Sequence, residues 1–182
     1  PVLALTSHLG GGAYAGGVVS NITWTATDSN FGANPIALEY SLDSGTNWIS
    51  ISAAAPNTGT FAWTPPAATN LTTARVRITA TDALTMSTTA ASTSDFTIDS
   101  TKPVLAAAQM SINGGVTPTF SNFVQVSLQA SDGLTNVSHF CLKINNTAPT
   151  LAASCWIPVN ATPPGLTPAL TLTLTNYFFR IG

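Results

Sequence analysis

Residue types that could carry out acyl transfer are present in this chain, but they are not arranged for that reaction. A hydrolytic triad needs a Ser or Cys nucleophile next to a His base. The two histidines, His8 and His139, lie far apart, and neither accompanies a nucleophile motif such as G-x-S-x-G. Both histidines are therefore expected to have structural or surface roles.

Paired carboxyl groups, which glycoside cleavage requires, would have to come from Glu39, Asp43 and Asp95. Glu39 alternates outward in a predicted strand, and Arg75 and Arg77 lie in a strand that is expected to be its neighbour. A cross-strand ion pair is the better explanation of this carboxylate, and an exposed pair stabilises a fold by only about 0–1 kcal/mol. The sequence thus predicts that the chain is not an enzyme.

The two cysteines, Cys141 and Cys155, are separated by 13 residues. They form no Cys-x-x-Cys motif and have no His at metal-ligand spacing, so a disulfide bond across a hairpin is predicted. A loop of this length would add roughly 3 kcal/mol of stability. Two free, buried thiols are the alternative.

The segment 41–48 fits the pattern S-x-D-x-G-x-x-W, with Ser41, Asp43, Gly45 and Trp48 at its defined positions. It resembles the Asp-box hairpin of sialidase propellers and other β proteins. Asp43 can accept hydrogen bonds from turn N–H groups, Gly45 permits a positive φ, and Trp48 can pack under the turn. A structural hairpin is predicted, and a glycan-binding site is the alternative.

Four aspartates, Asp28, Asp82, Asp99 and Asp132, fall at the ends of predicted strands, where loops gather. Calcium binds about six to eight oxygens from several converging carboxylates, but the sequence contains no D-x-D-x-D loop. An aspartate at a strand end more often caps a turn. No cofactor is therefore predicted, and an interdomain calcium ion is the alternative.

Charged residues make up only 7% of the chain, and the net charge is −2. The scattered basic residues cannot produce the clustered positive field that nucleic acids require. No apolar run reaches the roughly 20 residues that span a bilayer, so membrane insertion is not expected. The surface must consist largely of Thr, Ser, Asn and Ala, which is unusual for a cytosolic protein.

Short strands separated by Gly- and Pro-containing turns are predicted throughout. Apolar and polar residues alternate in 22–28, 36–41 and 74–81, as they do in half-buried strands, and no stretch has the spacing of an amphipathic helix. An all-β fold with antiparallel sheets packed as a sandwich is predicted. The expected core residues of the first half are Ile22, Trp24, Leu38, Tyr40, Trp63, Val76 and Ile78.

An internal repeat of about 100 residues divides the chain. Pro1–Ala4 recurs as Pro103–Ala106, and 22–28 aligns with 126–132. The boundary falls in 98–103, because a strand ends there and Pro103 blocks ladder pairing. Two domains are therefore predicted, at residues 1–100 and 101–182.

The first copy resembles the bacterial immunoglobulin-like (Ig-like) repeats that are strung in tandem in large surface proteins and adhesins. The resemblance rests on the strand WTATD at 24–28, the hairpin EYSLDSGTNW at 39–48, the strand RITATD at 77–82 and the junction IDSTKP at 98–103. It implies two tandem Ig-like antiparallel β-sandwiches, an extracellular or cell-surface location and no shared catalytic residues.

In the second copy, a Cys-bearing segment replaces the hairpin, and 177–182 resembles the start of the strand at 75–80. The second sandwich is therefore expected to be incomplete at its C-terminal end and to lack its last strand. The missing strand could belong to chain outside this sequence, which is favoured, or come from a neighbouring subunit by strand donation. A shorter sandwich that closes differently is the third possibility.

The predicted function is that of a structural or adhesive stalk module in a bacterial surface or secreted fibre protein. Its expected partners are other repeats of the same chain, neighbouring subunits through strand donation, and a glycan or cell-surface protein. The alternative is an accessory carbohydrate-binding module of a secreted glycosidase, which would need exposed aromatic rings. The sequence disfavours it, because burial is expected for all four tryptophans, which are Trp24, Trp48, Trp63 and Trp156.

Overall fold

The computed structural model describes residues 1–112, 123–135, 137, 139–140, 157–158 and 170–178. The chain separates into two compact units, Pro1–Ser100 and Thr101–Gly182. Every regular element of the described residues is a β-strand. The protein is therefore all-β in its described part, as the alternating sequence pattern predicts.

The strands are numbered in chain order. The first unit contains β1 (Val2–Leu5), β2 (Ala13–Ala15), β3 (Ser20–Thr27), β4 (Ile36–Ser41), β5 (Ile49–Ala55), β6 (Thr60–Trp63), β7 (Leu71–Thr81), β8 (Ser87–Ala91) and β9 (Phe96–Asp99). The described part of the second unit contains β10 (Val104–Ile112), β11 (Phe123–Ser131), β12 (His139–Phe140), β13 (Ile157–Pro158) and β14 (Leu170–Phe178).

Three strands of the first unit form a small antiparallel sheet in the order β1-β3-β6. Val2 at the start of β1 lies opposite Thr27 at the end of β3. Since successive side chains of a strand point to opposite faces, Ile22 and Trp24 are buried while Thr25 and Thr27 are exposed. One face of this sheet therefore belongs to the core, and the other presents small uncharged side chains.

The remaining strands form a larger sheet in the order β2-β9-β7-β4-β5. β2 and β9 run parallel, whereas the other pairs are antiparallel. The long strand β7 pairs with β4 on one side. On its other side it pairs with β8 over 77–81 and with β9 over 71–74. The chain therefore leaves the sheet between β8 and β9, at residues 92–95.

The core of the first unit lies between the two sheets and contains side chains of both. In β7, Ala74, Val76, Ile78 and Ala80 are all 0% exposed, and the residues between them face outward. The buried indole of Trp24 donates a hydrogen bond from Nε1 to Asn57 Oδ1 (2.9 Å), so its N–H group is paired. Six predicted core residues are confirmed, and the seventh, Tyr40, is only partly buried; the confirmed residues are Ile22, Trp24, Leu38, Trp63, Val76 and Ile78.

The chain enters and leaves the first unit at opposite ends. Val2 lies at the first end, together with the loop 28–35 and the turn 82–86, since Thr27 and Thr81 close the strands that lead into them. The second end contains the loop 16–19 and Ser100. There, Gly16 N donates to Asp99 O (2.9 Å), which is the last residue of β9. The strands therefore run from one end of the unit to the other.

In the second unit, β10, β11 and β14 form an antiparallel sheet, and β12 pairs with β13. Val104 lies opposite Ser131 and Leu105 opposite Ala130. These pairs occupy the positions that the sequence repeat assigns to the first two residue pairs of β1 and β3. The two units thus begin with the same strand pairing.

The prediction that 177–182 begins a strand equivalent to 75–80 is wrong for Tyr177 and Phe178. Both residues belong to β14, where they lie opposite Val124 and Phe123 of β11. The Leu-Thr alternation of β14 ends at Thr175 and the pairing register shifts there, but the strand and its pairing with β11 continue to Phe178. β14 pairs with β11 as β6 pairs with β3.

Candidate functional site

The turn between β4 and β5 is organised by two side chains of the Asp-box-like pattern. Ser41 Oγ donates to Asp43 Oδ1 (2.7 Å) and accepts from Gly45 N (2.9 Å). Asp43 Oδ1 also accepts from Asn47 N (2.8 Å), and its Oδ2 accepts from Asn47 Nδ2 (2.6 Å). The hairpin therefore closes through side chains that replace a regular backbone ladder.

Gly45 is needed in this turn for two reasons. Its φ is +89°, in the region that side chains with a Cβ rarely adopt, and an added Cβ would lie 3.2 Å from Cζ2 of Trp48. Trp48 thus packs against the turn. The hydrogen bonds from Asn47, followed by that from Ser41, lower the pKa of Asp43 to about 2, so this carboxylate is ionised at neutral pH.

Two ion pairs lie beside this hairpin on the outer face of the larger sheet. Arg77 Nε donates to Glu39 Oε2 (2.5 Å), and the two residues are directly opposite each other in β7 and β4. The Arg77 guanidinium lies over the ring of Trp48, 4.4 Å from its centroid. The cross-strand ion pair expected for Glu39 is therefore present, and an aromatic ring stacks on it.

The second ion pair joins Arg75 to Asp95. Arg75 Nε donates to Asp95 Oδ1 (2.5 Å), and Ser44 Oγ donates to Asp95 Oδ2 (2.8 Å). The Ser44 hydroxyl and, after it, Arg75 lower the pKa of Asp95. A general acid at neutral pH needs a raised pKa, so neither Asp95 nor Asp43 is suited to donate a proton in glycoside cleavage.

The expectation that all four tryptophans are buried is wrong for Trp48, which is only partly buried. Its ring lies on the outer face of the sheet, between the turn and Arg77, and does not enter the core. Trp24 and Trp63 are 3% and 4% exposed. Trp156 lies outside the described residues. The candidate glycan surface therefore contains one tryptophan in the part of the chain that the structure describes.

His8 forms a second polar centre, inside the first unit. It is 2% exposed, and its ring stacks on Tyr14 with centroids 4.1 Å apart. Its Nδ1 is 2.9 Å from Ser7 Oγ, and its Nε2 is 3.1 Å from Ser20 Oγ. Burial lowers the pKa of His8 to about 4. The imidazole is therefore neutral at physiological pH.

Ser7–His8–Ser20 is a chain of hydrogen bonds that sequence reasoning did not find. Ser7 and His8 are adjacent, but Ser20 reaches the imidazole from β3, and no spacing rule links it to His8. The ring is packed between Tyr14, Trp63 and Phe96. A base enclosed in this way has no space for a substrate beside it.

Three of the four aspartates at strand ends cap turns, and the fourth, Asp99, is buried at the end of β9. Asp82 Oδ1 accepts from Leu84 N (2.8 Å) and Met86 N (2.9 Å), and Asp28 Oδ1 accepts from Asn30 N (2.7 Å). Asp132 caps the loop after β11 in the same way. Within the described ranges, no three His, Cys, Asp or Glu residues are grouped so that they could hold a metal ion.

Several predicted residues cannot be placed. Cys141 and Cys155 lie outside the described residues, so the disulfide stays a prediction. His139 is described only as part of β12.

Comparisons with protein-family models, with curated proteins and with solved structures find no match to this chain.

Proposed function

We propose that this chain is a structural or adhesive stalk module of a bacterial surface or secreted fibre protein, built from tandem Ig-like domains. The observation that carries the proposal is the path of the chain through the first unit. A stalk transmits load between its two ends, and in this unit the chain enters at the first end and leaves at the second.

The strand order of the first unit supports the Ig-like assignment. One sheet has the order β1-β3-β6, and the other places the last strand, β9, between β2 and β7. The chain thus crosses repeatedly between two sheets, as in immunoglobulin-type sandwiches, although β4-β5 and β7-β8-β9 are consecutive within the larger sheet. The equivalent pairings Val2 to Thr27 and Val104 to Ser131 support a second copy of the same plan.

The parallel pair β2 and β9 suits a load-bearing role. In chain order, β2 is the second strand of the unit and β9 is the last. When the two ends of the unit are pulled apart, parallel neighbours slide past each other, so their hydrogen bonds are loaded together. Ala13 to Ala15 lie opposite Thr97 to Asp99, and Thr97 N donates to Gly12 O beside them (2.9 Å).

The surface chemistry is also that expected of a spacer. Both arginines of the first unit are ion-paired, and the exposed positions of β3 and β8 are mostly Thr, Ser and Ala. Such a surface attracts few charged molecules non-specifically. Among the described residues, no helix is long and apolar enough to cross a membrane.

Single-molecule force spectroscopy tests the load-bearing role. Pulling the full chain by its two termini should give a discrete unfolding event for the first unit, with a contour gain of about 300 Å for 100 residues. The matched control is Ile78→Asp, which places a charge at a position that is 0% exposed and should remove this event. Extension of the unmodified chain without a discrete event would contradict the proposal.

The carbohydrate-binding alternative is tested on the same protein. Trp48 is the partly exposed tryptophan that a sugar ring could contact. Affinity electrophoresis in gels that contain soluble neutral polysaccharides should show no retardation of the chain. Retardation that Trp48→Ala abolishes would support the alternative and contradict a purely structural role for this face.

A further inference from the structure

The segment 6–12, called the crossover below, passes from the small sheet to the larger sheet and is held by His8. The imidazole lies in the core between Tyr14 of β2, Trp63 of β6 and Phe96 of β9. Trp63 and Phe96 meet it edge-on, with centroids 5.7 and 5.6 Å away. The His8 side chain is therefore the anchor that the crossover inserts between the sheets.

The backbone of the crossover is attached to the break between β8 and β9. His8 has a φ of +54°, and its carbonyl oxygen accepts from Ser92 Oγ (2.6 Å). Leu9 O accepts from Thr93 N (2.9 Å), and Gly11 N donates to Asp95 O (2.8 Å). These bonds and the His8 ring therefore hold the same short segment against the body of the unit.

The side chains found in contact with the imidazole carry no charge. The crossover and β3 contribute the hydroxyls of Ser7 and Ser20, β6 and β9 contribute apolar rings, and β2 contributes Tyr14, the other titratable side chain in contact. β9 carries one carboxylate, the buried Asp99 at its far end, three residues beyond the Phe96 ring that meets the imidazole. Asp95, just before β9, is bound to Arg75 and Ser44 on the outer face. An imidazolium ion would thus be buried without an acidic partner, which is strongly unfavourable.

We propose that the crossover is an acid-sensitive latch: protonation of His8 expels its ring from the core and releases residues 6–15 while the rest of the first unit stays folded. Release would detach β2 from β9. The free edge of β9, Phe96–Asp99, would then be available to pair with another strand. This proposal does not depend on the stalk function.

The direction of the pH effect follows from the depressed pKa. His8 binds its proton near pH 4 when the latch is closed and near its ordinary value of 6.5 when it is open. Between these values, opening takes up one proton, so the ratio of open to closed latch rises about tenfold for each unit by which the pH falls. Above the ordinary value of 6.5, the ratio does not depend on the titration of His8.

Hydrogen exchange on the full chain, measured from pH 7 to pH 5 and corrected for intrinsic rates, tests the latch. Protection of the Gly11 amide, which bonds to Asp95, reports on the latch. It should fall about tenfold from pH 6 to pH 5. Protection of the Ile78 amide in β7 should change much less, because the central strands stay paired.

His8→Asn is the matched variant, since Asn tolerates a positive φ and does not titrate in this range. In this variant, protection of Gly11 should not depend on pH. If the variant does not fold, an NMR titration of the unmodified protein decides, because the closed latch requires His8 to titrate well below 6.5. Equal loss of protection at Gly11 and Ile78, pH-independent protection at Gly11, or an ordinary His8 titration would each overturn the proposal.

Discussion

Ser92 lies in the break between β8 and β9, where its hydroxyl joins the crossover to β7. Its removal should therefore lower the stability of the first unit. Ser92 is 5% exposed. Its Oγ donates to His8 O (2.6 Å) and accepts from Val76 N (2.9 Å). Ser92→Ala therefore leaves a buried carbonyl and a buried N–H without partners. Each unsatisfied group costs about 1–3 kcal/mol, so the free energy of unfolding of the first unit should fall by about 2–6 kcal/mol.

Thr93→Ala is the matched control for this experiment. Thr93 also bonds to the crossover, through Oγ1 to Leu9 O (2.7 Å), but it is exposed, so water can replace the lost hydroxyl. Its cost should stay within about 0.5 kcal/mol. Urea unfolding followed by tryptophan fluorescence measures both variants, because three of the four tryptophans lie in the first unit. Equal stability of the two variants would refute the argument that Ser92 satisfies buried backbone groups.

Other substitutions separate the core from the outer face and test the second unit. Trp24→Ala should lower the free energy of unfolding by about 3–5 kcal/mol. Trp48→Ala should lower it by no more than about 1–2 kcal/mol, because it removes a partly buried ring and a cation–π contact. Equal losses of stability would contradict the faces assigned to the two rings. Asp43→Ala should speed hydrogen exchange of the turn amides and leave the near-ultraviolet circular dichroism of the core unchanged; unchanged exchange would mean that the carboxylate does not hold the turn. If Cys141 and Cys155 are bonded, intact mass should show no alkylation without reduction, and two alkylated thiols would exclude the bond.

The outer face of the larger sheet illustrates how a protein with few charges uses them. Four of the charged side chains of the first unit form two ion pairs across neighbouring elements, and a tryptophan covers one of them. Pairs at such exposed sites stabilise a fold by only about 0–1 kcal/mol. Their more important effect is local, because each pair neutralises its own two charges on this face.

The all-β class and most of the core could be predicted from the sequence, because strand geometry is local. The period-two alternation in 22–28 and 74–81 assigns faces without any knowledge of partners. The S-x-D-x-G-x-x-W pattern also acts locally, through bonds that span at most four residues between Ser41 and Asn47. Such a turn forms from its own residue types, which is why its hydrogen bonds could be anticipated from the pattern.

Predictions from sequence periodicity were wrong where residues lie outside a regular alternation of apolar and polar side chains. Trp48 is apolar and follows a turn, which predicts burial, but its ring lies under Arg77 on the outer face. The sequence of Tyr177 and Phe178 predicts a new strand, but both residues extend β14, whose pairing with β11 continues to Phe178. Local patterns do not say which neighbour a strand will take.

The residue types and their alternation, by themselves, determined that this chain forms strands with apolar inner faces and a nearly uncharged surface. Only the tertiary structure decided that β2 runs parallel to β9, that Ser92 completes the hydrogen bonding of His8, and that His8 is enclosed by side chains that carry no charge. Ser92 and His8 are 84 residues apart. Contacts over such separations form when two sheets close on each other, so no local pattern of residue types specifies them.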